Sequence, residues 1–345
     1  MRKSIAVLVI AMAVSGHAQA QTQGNAVADF YRGKTLTVYI GYGPGGGYDL
    51  YARTLARHIV KHIPGNPQTL PSNMPGASSM TLGNFLARIA PKDGTAIGAV
   101  NSALLFEPLF AGRKSKAQFA GPDMTMIGNL TSSASVLVAW HTSGVKTLDD
   151  VREKGITIAA TSPSGDTYLL PLSVKNTLGL DKLKLVIGYP GTREAALALE
   201  RGEVSGRVWD MEGIKAARPD WLRDNKINLV AQLAPKKMPE VPADVPLVRD
   251  SVPNEEDRRV LDVIFLSTVI ARPYIGPAEI PDDRKKALRA AFMATVADPE
   301  FLAETKKVQL TIDPMSGEEM EKLIRDSYNL PESTIEKVRK ALVSP

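Results

Sequence analysis

A glycine-rich turn near the start of the chain constrains the fold more than any other feature of the sequence. Residues 36–40 form an apolar run with β-branched residues, which predicts a buried strand. This run leads into Gly41-Tyr-Gly-Pro-Gly-Gly-Gly-Tyr-Asp49, and the apolar residues that follow recur at helical spacing, with Asp49 as the expected helix cap. The bare N–H groups of such a turn and the positive end of a helix dipole attract phosphate or carboxylate. The segment therefore predicts a strand–turn–helix unit with an anion-binding turn.

The first 20 residues have the features of a secretory signal peptide. Arg2 and Lys3 precede a mostly apolar run at residues 4–16, and Ala18-Gln-Ala20 supplies the small residues that a signal peptidase reads. We expect cleavage after Ala20 and a mature protein in a bacterial periplasm. Because the sequence contains no cysteine, neither a lipid-modified cysteine nor a disulfide is available to it.

Composition favours an ordinary globular protein and gives no sign of nucleic-acid binding. The chain is 44% hydrophobic and 23% charged, which is close to the average for globular domains. Its formal net charge of +5 includes Arg2 and Lys3, and the other basic residues are scattered among acidic ones. The roughly 325 residues left after cleavage exceed one hydrophobic core, so we predict two domains. The first is expected to comprise residues 25–130 and 251–345, and the second residues 131–250.

Strands and helices are predicted to alternate along most of the chain. Such alternation predicts an α/β fold in which each domain is a mainly parallel sheet flanked by helices. The loops that follow the strands should gather at one edge of each sheet, where such folds bind ligands. The predicted strands are 36–41, 68–71, 96–100, 135–140, 156–160, 185–187 and 204–209. The longer predicted helices are 48–62, 194–201, 254–261, 282–297, 299–307, 317–329 and 332–342.

Signals for catalysis, a metal or a cofactor are weak. Gly41-x-Gly-x-x-Gly46 fits a dinucleotide fingerprint, so a dinucleotide-binding oxidoreductase is the alternative function. The second strand, however, ends near residues 71–73 without the acidic residue that would bind the ribose. His58 and His62 have a spacing that can bind zinc, but Ile59 occupies the position of the catalytic glutamate of a His-Glu-x-x-His protease. We expect no cofactor, no metal and no enzymatic activity.

Several short motifs together resemble one family of receptors. Tyr31-Arg-Gly-Lys34 and Gly43-Pro-Gly-Gly-Gly-Tyr-Asp49 are followed by Asn73-Met-Pro-Gly-Ala77 and Ala90-Pro-Lys-Asp-Gly94. Thr147-Leu-Asp-Asp150, Gly191-Thr192, Gly202-Glu-Val204 and Asp210 then recur in the expected order. In order and spacing these motifs resemble the periplasmic solute receptors of tripartite tricarboxylate transporters, the TctC-like or Bug family.

The resemblance implies a fold and a function. Such receptors have a two-domain periplasmic-binding-protein fold of type II, which closes on its ligand like a Venus flytrap. They are not enzymes. They capture a small carboxylate and deliver it to large and small integral-membrane permease subunits, and we expect this chain to do so as a monomer without nucleic acid. Whether the carboxylate is citrate-like, a dicarboxylate, an aromatic acid or an amino acid stays open.

The resemblance also implies which residues contact the ligand through loop amides, hydroxyls and ordered water. Its assignments are Gly45, Gly46 and Asp49 in the first loop, Pro75, Gly76 and Ala77 in the second, Asn101 and Ser102 in the third, and Ser164, Thr192 and Asp210 in the second domain. We add Gly47, which completes the run of three glycines, and Tyr42 and Tyr48, whose rings could stack on an aromatic ligand. Tyr48 stands where the family usually has a small or polar residue. Asp210 could instead bond across the two domains.

Overall fold

Two β-sheets organise the part of the chain that the structure, a computed structural model, describes, which is residues 26–343. The predicted signal peptide lies outside the described residues. Between residues 26 and 343, no helix combines the length and the apolar character that crossing a bilayer requires.

The first sheet is formed mainly by the N-terminal part of the chain. Its strands are β1 (Thr35–Ile40), β2 (Gln68–Asn73), β3 (Ala96–Ala99), β4 (Thr125–Asn129), β10 (Pro273–Gly276) and β11 (Met315–Ser316), in the spatial order β11-β4-β10-β3-β1-β2. β1 runs parallel to both β2 and β3, whereas β10 lies antiparallel between β3 and β4. The carboxyl ends of β1, β2 and β3 therefore meet at one edge.

The second sheet is formed by the middle of the chain. Its strands are β5 (Ser135–Trp140), β6 (Ile156–Ala159), β7 (Leu183–Val186), β8 (Gly206–Asp210) and β9 (Ile227–Leu233), in the spatial order β7-β6-β8-β5-β9. β6 is parallel to β7 and β8, and β5 is antiparallel to β8 and β9. We call the first sheet with its loops and helices the first lobe, and the second sheet with its loops and helices the second lobe.

Helices cover the faces of both sheets. They are α1 (which includes residues 26–31), α2 (Gly47–Ile59), α3 (Met80–Arg88), α4 (Glu107–Ala111), α5 (Leu148–Lys154), α6 (Asp166–Leu178), α7 (Thr192–Glu200), α8 (Met211–Ala217), α9 (Pro219–Arg223), α10 (Glu255–Ile264), α11 (Leu266–Val269), α12 (Asp282–Ala297), α13 (Pro299–Lys307), α14 (Gly317–Tyr328) and α15 (Glu332–Ala341). In α2, buried residues recur at helical spacing and include Ala52, Leu55 and Ile59. This apolar face packs on the first sheet.

The predicted α/β fold is confirmed, with one correction to its sheets. Both sheets are mixed rather than mainly parallel. The strands β4, β9 and β10, which were not recognised in the sequence, enter antiparallel pairs, and the recognised strands β5 and β8 also pair antiparallel with each other. β10 contains a proline and a glycine within four residues and pairs with β3 and β4, which lie far earlier in the chain, so its local sequence carries little strand signal.

The two lobes share part of their packing. α10 and α15 lie against each other and against α6 of the second lobe, and one buried cluster runs from the first sheet through Phe265 to the second. The first lobe also has a core of its own around β1, α2 and α12, and the second has one around Trp221. The domain boundaries expected from the sequence stay a prediction.

Candidate ligand-binding site

The loops after β1, β2 and β3 come together at the edge of the first sheet, as the sequence predicted. The Ser79 hydroxyl donates to the Gly41 carbonyl (3.2 Å) and accepts the N–H of Asn101 (3.1 Å). The Asn101 amide group in turn donates to the Tyr42 hydroxyl (2.9 Å). Each loop is thus hydrogen-bonded to another, which fixes the shape of this edge.

The glycine-rich turn is stabilised from within by Asp49. α2 begins at Gly47, so Asp49 lies in its first turn and is not the helix cap that we expected. Its carboxylate accepts the Gly45 N–H (2.9 Å) as well as hydrogen bonds from Arg53 Nε (2.8 Å) and Asn73 Nδ2 (2.9 Å). The Gly45 amide therefore already has a partner. Asp49 itself is 5% exposed and belongs to this network.

A small cavity lies between the lobes, beside these loops. Its volume is about 30 Å³, which is room for a water molecule or two. Five residues expected at the site line it: Tyr42, Gly47, Tyr48, Thr192 and Asp210. The other lining residues are Ser135, Thr161, Asp166, Thr167, Arg207, Val208, Trp209 and Arg272. The structure therefore brings residues of both lobes, charged ones among them, around one space.

The remaining expected residues lie outside the cavity lining, some against its wall and others beside neighbouring depressions. Asn101 and Ser102 hydrogen-bond to Asp166 in its wall. Gly45 and Gly46 line a neighbouring depression that shares Thr192 and Trp209 with the cavity. Ser164 reaches across to the Ala77 carbonyl (3.3 Å), beside a larger surface groove, and Pro75 and Gly76 form the turn just before Ala77. Their contacts with a ligand stay a prediction.

A buried ion pair joins the lobes in the wall of the cavity. Arg272, which precedes β10, places Nη2 2.6 Å from Oδ1 of Asp210 at the end of β8. The guanidinium also lies over the rings of Tyr48 and Tyr51. Burial is the largest influence on the pKa of Arg272 and lowers it, but the Asp210 carboxylate together with the Tyr48 and Tyr51 hydroxyls holds that pKa above its usual value. Gly47 lies beside this guanidinium, and a Cβ there would make a tight contact of 3.2 Å with Arg272 Nη2.

Arg207 is a second buried cation in the cavity wall, and its surroundings differ. It is 1% exposed, its Nη1 donates to the Thr192 carbonyl (2.9 Å), and its guanidinium lies over the Trp209 ring. Its Nε has no hydrogen-bond partner, which is also true of Arg272 Nε, but Arg207, unlike Arg272, forms no ion pair with a carboxylate of residues 26–343. Burial lowers the pKa of Arg207 to about 9, so it remains charged at neutral pH. The Asp210 and Asp166 carboxylates oppose this lowering from a distance, but neither contacts the guanidinium directly. A buried charge without a directly bonded counter-ion is costly, and it is well suited to bind an anion.

Asp166 brings an acidic group to the same cavity from the N-terminus of α6. Its Oδ1 accepts from Asn101 Nδ2 (3.0 Å) and the Thr167 N–H (2.8 Å), and its Oδ2 has a long contact with the Ser102 hydroxyl (3.4 Å). Burial raises the pKa of Asp166, and the nearby Asp210 carboxylate raises it further. Asp166 thus crosses from the second lobe to the third loop of the first.

Other contacts close the mouth of the cleft. The Ser78 hydroxyl lies 2.9 Å from that of Thr161 and 2.8 Å from that of Ser162. Gly165 permits this approach, since a Cβ there would lie 2.3 Å from Ser78 Oγ. The rings of Tyr42 and Tyr48 stack inside the cleft with centroids 4.7 Å apart. The lobes are therefore closed on each other.

Sequence reasoning missed Arg207, Arg272 and Asp166. Arg207 offered one signal, because an arginine inside the short apolar strand β8 is unusual at a buried position. Arg272 sits in a similar apolar stretch before β10. Asp166 offered no signal, because it is the first residue of α6 and an acidic residue is common at the start of a helix whether or not a ligand binds there.

The histidine pair is bound to acidic residues of α13 and its cap. His58 Nε2 lies 2.7 Å from a Glu304 oxygen, and His62 Nε2 lies 3.0 Å from an Asp298 oxygen. Within residues 26–343, no group of three acidic or histidine side chains is placed to hold a metal ion. These histidines connect α2 and the turn after it to the C-terminal helices.

Comparison with known proteins identifies the fold. No protein-family model matches the sequence, and no curated protein matches it. Among solved structures, MatC (Rpa3494) from Rhodopseudomonas palustris with bound malate is 17% identical, with 90% of this chain and 99% of that chain covered at a TM-score of 0.69. This chain has the fold of a periplasmic binding protein. The periplasmic binding protein BugD is also 17% identical, with coverage of 90% and 98% and a TM-score of 0.69.

A TctC solute-binding protein from Polaromonas matches as well. It is 17% identical, with 89% of this chain and 99% of that chain covered at a TM-score of 0.61. The resemblance drawn from the sequence motifs is therefore confirmed at the level of the fold. The dinucleotide-binding alternative is not favoured, because the glycine-rich turn lies in a binding-protein fold. In addition, β2 ends at Asn73, whose amide binds Asp49, and not at the acidic residue that would bind the ribose.

Proposed function

We propose that this chain is an extracytoplasmic solute receptor that binds a small carboxylate between its lobes. It delivers that ligand to a tripartite tricarboxylate-type transporter through large and small permease subunits. It acts in the periplasm after export on the signal peptide, as a monomer and without catalysis. The resemblance of the motifs and the binding-protein fold support this assignment, as does the malate bound to MatC.

The unpaired guanidinium of Arg207 is the observation that carries the proposal. A buried cation with an unused N–H group, in a cavity between two lobes, binds best to a small anion that enters the cavity. A carboxylate offers a planar acceptor pair that matches the guanidinium fork. Arg207 is therefore proposed as a direct ligand contact, in addition to the loop residues expected from the sequence.

Binding requires the lobes to separate. A cavity of about 30 Å³ is too small for an organic acid, and the contacts of Ser78 and of Arg272 with the second lobe close the way in. The ligand would enter the open cleft, bind Arg207 and replace part of the contacts between the lobes. Closure is then driven by interactions that the ligand makes better in the closed state.

A thermal-shift screen of the mature protein tests the proposal. Small carboxylic acids are compared with their primary amides at equal concentration. A matching acid at about 100 times its dissociation constant should raise the midpoint of thermal unfolding by roughly 5 °C, because it binds only the native state. The amide should give almost no shift, because it lacks the charge that Arg207 binds.

Two variants make the screen specific to the cavity. Arg207→Gln should lose the shift, whereas Arg223→Gln should keep it, because Arg223 is 73% exposed and pairs with the adjacent Asp224. Equal shifts with acids and amides, or an undiminished response of Arg207→Gln, would reject carboxylate binding at this site. Circular dichroism checks that both variants fold.

A further inference from the structure

Of the described charged side chains that line the cavity, only two form an ion pair with each other. Four charged side chains line it: Arg207, Arg272, Asp166 and Asp210. Arg272 and Asp210 neutralise each other at 2.6 Å. Among the described residues, neither Arg207 nor Asp166 forms an ion pair with any group. One buried cation and one buried anion therefore lie in the same small space without a direct ion pair, although each interacts with nearby opposite charges.

The bonding of Asp166 leaves room for a cationic donor. Its three contacts come from neutral groups, namely Asn101, Ser102 and the Thr167 amide, and the Ser102 contact to Oδ2 is long at 3.4 Å. A carboxylate oxygen accepts more than one hydrogen bond, so Oδ2 has unused capacity. An ammonium group, with three donors and a positive charge, would complete it.

A ligand with a carboxylate and no other charge would pair with Arg207 but would be repelled by the Asp166 carboxylate. Its negative charge would enter a buried space next to the Asp166 carboxylate, where repulsion between like charges is poorly screened. A ligand that carries an ammonium group besides its carboxylate neutralises both unpaired residues. We infer that the ligand is a small zwitterion, an amino acid in the broad sense, whose carboxylate pairs with Arg207 and whose ammonium group pairs with Asp166. This inference rests on the proposed function and names the substrate class of the same site.

A competing arrangement needs a protonated Asp166. Burial and the Asp210 carboxylate both raise the pKa of Asp166, while Asn101 and Arg272 lower it, and Arg207, Tyr42 and Tyr48 line the same cavity. A protonated Asp166 would donate a hydrogen bond to a plain carboxylate. That arrangement predicts tighter binding of plain acids as the pH falls, and the zwitterion arrangement does not.

Isothermal titration calorimetry with matched pairs of probes separates these outcomes. Each amino acid is compared with the acid of the same skeleton without the amine: L-glutamate with glutarate, 4-aminobutyrate with butyrate and L-alanine with propionate, all at pH 7.5. For the pair that fits the cavity, we expect the amino acid to bind about 10- to 100-fold more tightly, as for one charge-assisted hydrogen bond in a buried site. Measurements on the native protein decide this point without any variant.

Variants of Asp166 assign the preference to this residue. Asp166→Asn has the same shape and should reduce the difference within the pair to about twofold or less. The control Asp149→Asn lies on α5, where Asp149 is 83% exposed, and should keep the full preference. Arg207→Gln should weaken both members of the pair, since both carry the carboxylate.

The possible results also separate this inference from the proposed function. Plain acids that bind as tightly as their amino counterparts, or that bind more tightly from pH 7.5 to pH 5, would overturn the zwitterion and leave a carboxylate receptor. A preference for the amino acid that survives in Asp166→Asn would also overturn the assignment. Failure of every acid of both kinds, across a broad thermal-shift panel, would contradict the proposed function itself.

Discussion

The glycine-rich turn of the first lobe and the end of β8 in the second lobe face the same cleft, but their polar groups differ in what they still need. In the turn, the Asp49 carboxylate binds the Gly45 N–H, Arg53 and Asn73, so each partner is satisfied within the first lobe. At β8, Arg207 keeps an unused N–H and, within residues 26–343, forms no ion pair. A sequence motif can thus indicate where the backbone turns. Which polar groups remain without a partner becomes clear only from the hydrogen bonds and ion pairs of the folded structure.

The largest effect should come from the two buried arginines, which test this contrast directly. Arg272→Met leaves the Asp210 carboxylate without its counter-ion and should lower the free energy of unfolding by about 3 kcal/mol. Arg207→Met removes an unpaired charge and loses its stacking on Trp209, so stability should change by no more than about 1 kcal/mol while ligand binding is lost. Urea unfolding at pH 7 measures both. Equal losses of stability would mean that Arg207 has a partner after all.

A smaller loss is expected from the turn. Asp49→Ala removes the acceptor of three hydrogen bonds and should lower the free energy of unfolding by about 2 kcal/mol, since the Gly45 N–H and the Arg53 and Asn73 donors regain only part of their bonding from water. Asp29→Ala, which breaks an exposed pair with Arg32, should change stability by less than about 0.5 kcal/mol. If the two variants were equally stable, the turn would not depend on Asp49.

The smallest effect concerns the pH dependence of stability. The pKa of Asp166 is raised in the folded protein by burial, so its ionised form costs stability at neutral pH. This cost disappears as the pH falls through the folded-state pKa towards the unfolded-state pKa near 4. The stability of the native sequence relative to Asp166→Asn should therefore increase between pH 7 and pH 4, measured by urea unfolding at each pH. A relative stability that decreased over this range would show that Asp166 has a cationic partner in the ligand-free protein.

Local patterns in the sequence predicted much of the fold. The bounds of α12 and α13, Asp282–Ala297 and Pro299–Lys307, agree with the sequence prediction, since proline and aspartate mark where each helix begins. The strand–turn–helix unit around residues 36–59 was also recognised, because apolar periodicity and glycine are local signals. β4 and β10 were missed, because short strands that hydrogen-bond to distant residues carry little signal of their own.

The residues of the candidate site also fall into those that the sequence predicted and those that it did not. The loops that gather at the edge of the first sheet follow from the order of strands and turns, so Tyr42, Gly47 and Tyr48 could be proposed from sequence. Whether a charged residue is paired depends on side chains far away in the chain. Asp210 and Arg272 are 62 residues apart, and Asn101 and Asp166 are 65 apart. No local pattern distinguishes Arg207 from Arg272, although of the two only Arg272 forms an ion pair in the described part of the chain.

Under the proposed function, the small volume of the cavity around Arg207 has a consequence for recognition by a transporter. A ligand larger than water that binds in this cavity must hold the lobes somewhat wider than the structure has them, because Tyr42, Tyr48 and the two arginines surround it. The size of the bound molecule would then set the angle between the lobes, and with it the outline of the outer surface. A transporter that binds only one such outline would then discriminate between ligands by the conformation of the receptor, without contacting the ligand itself.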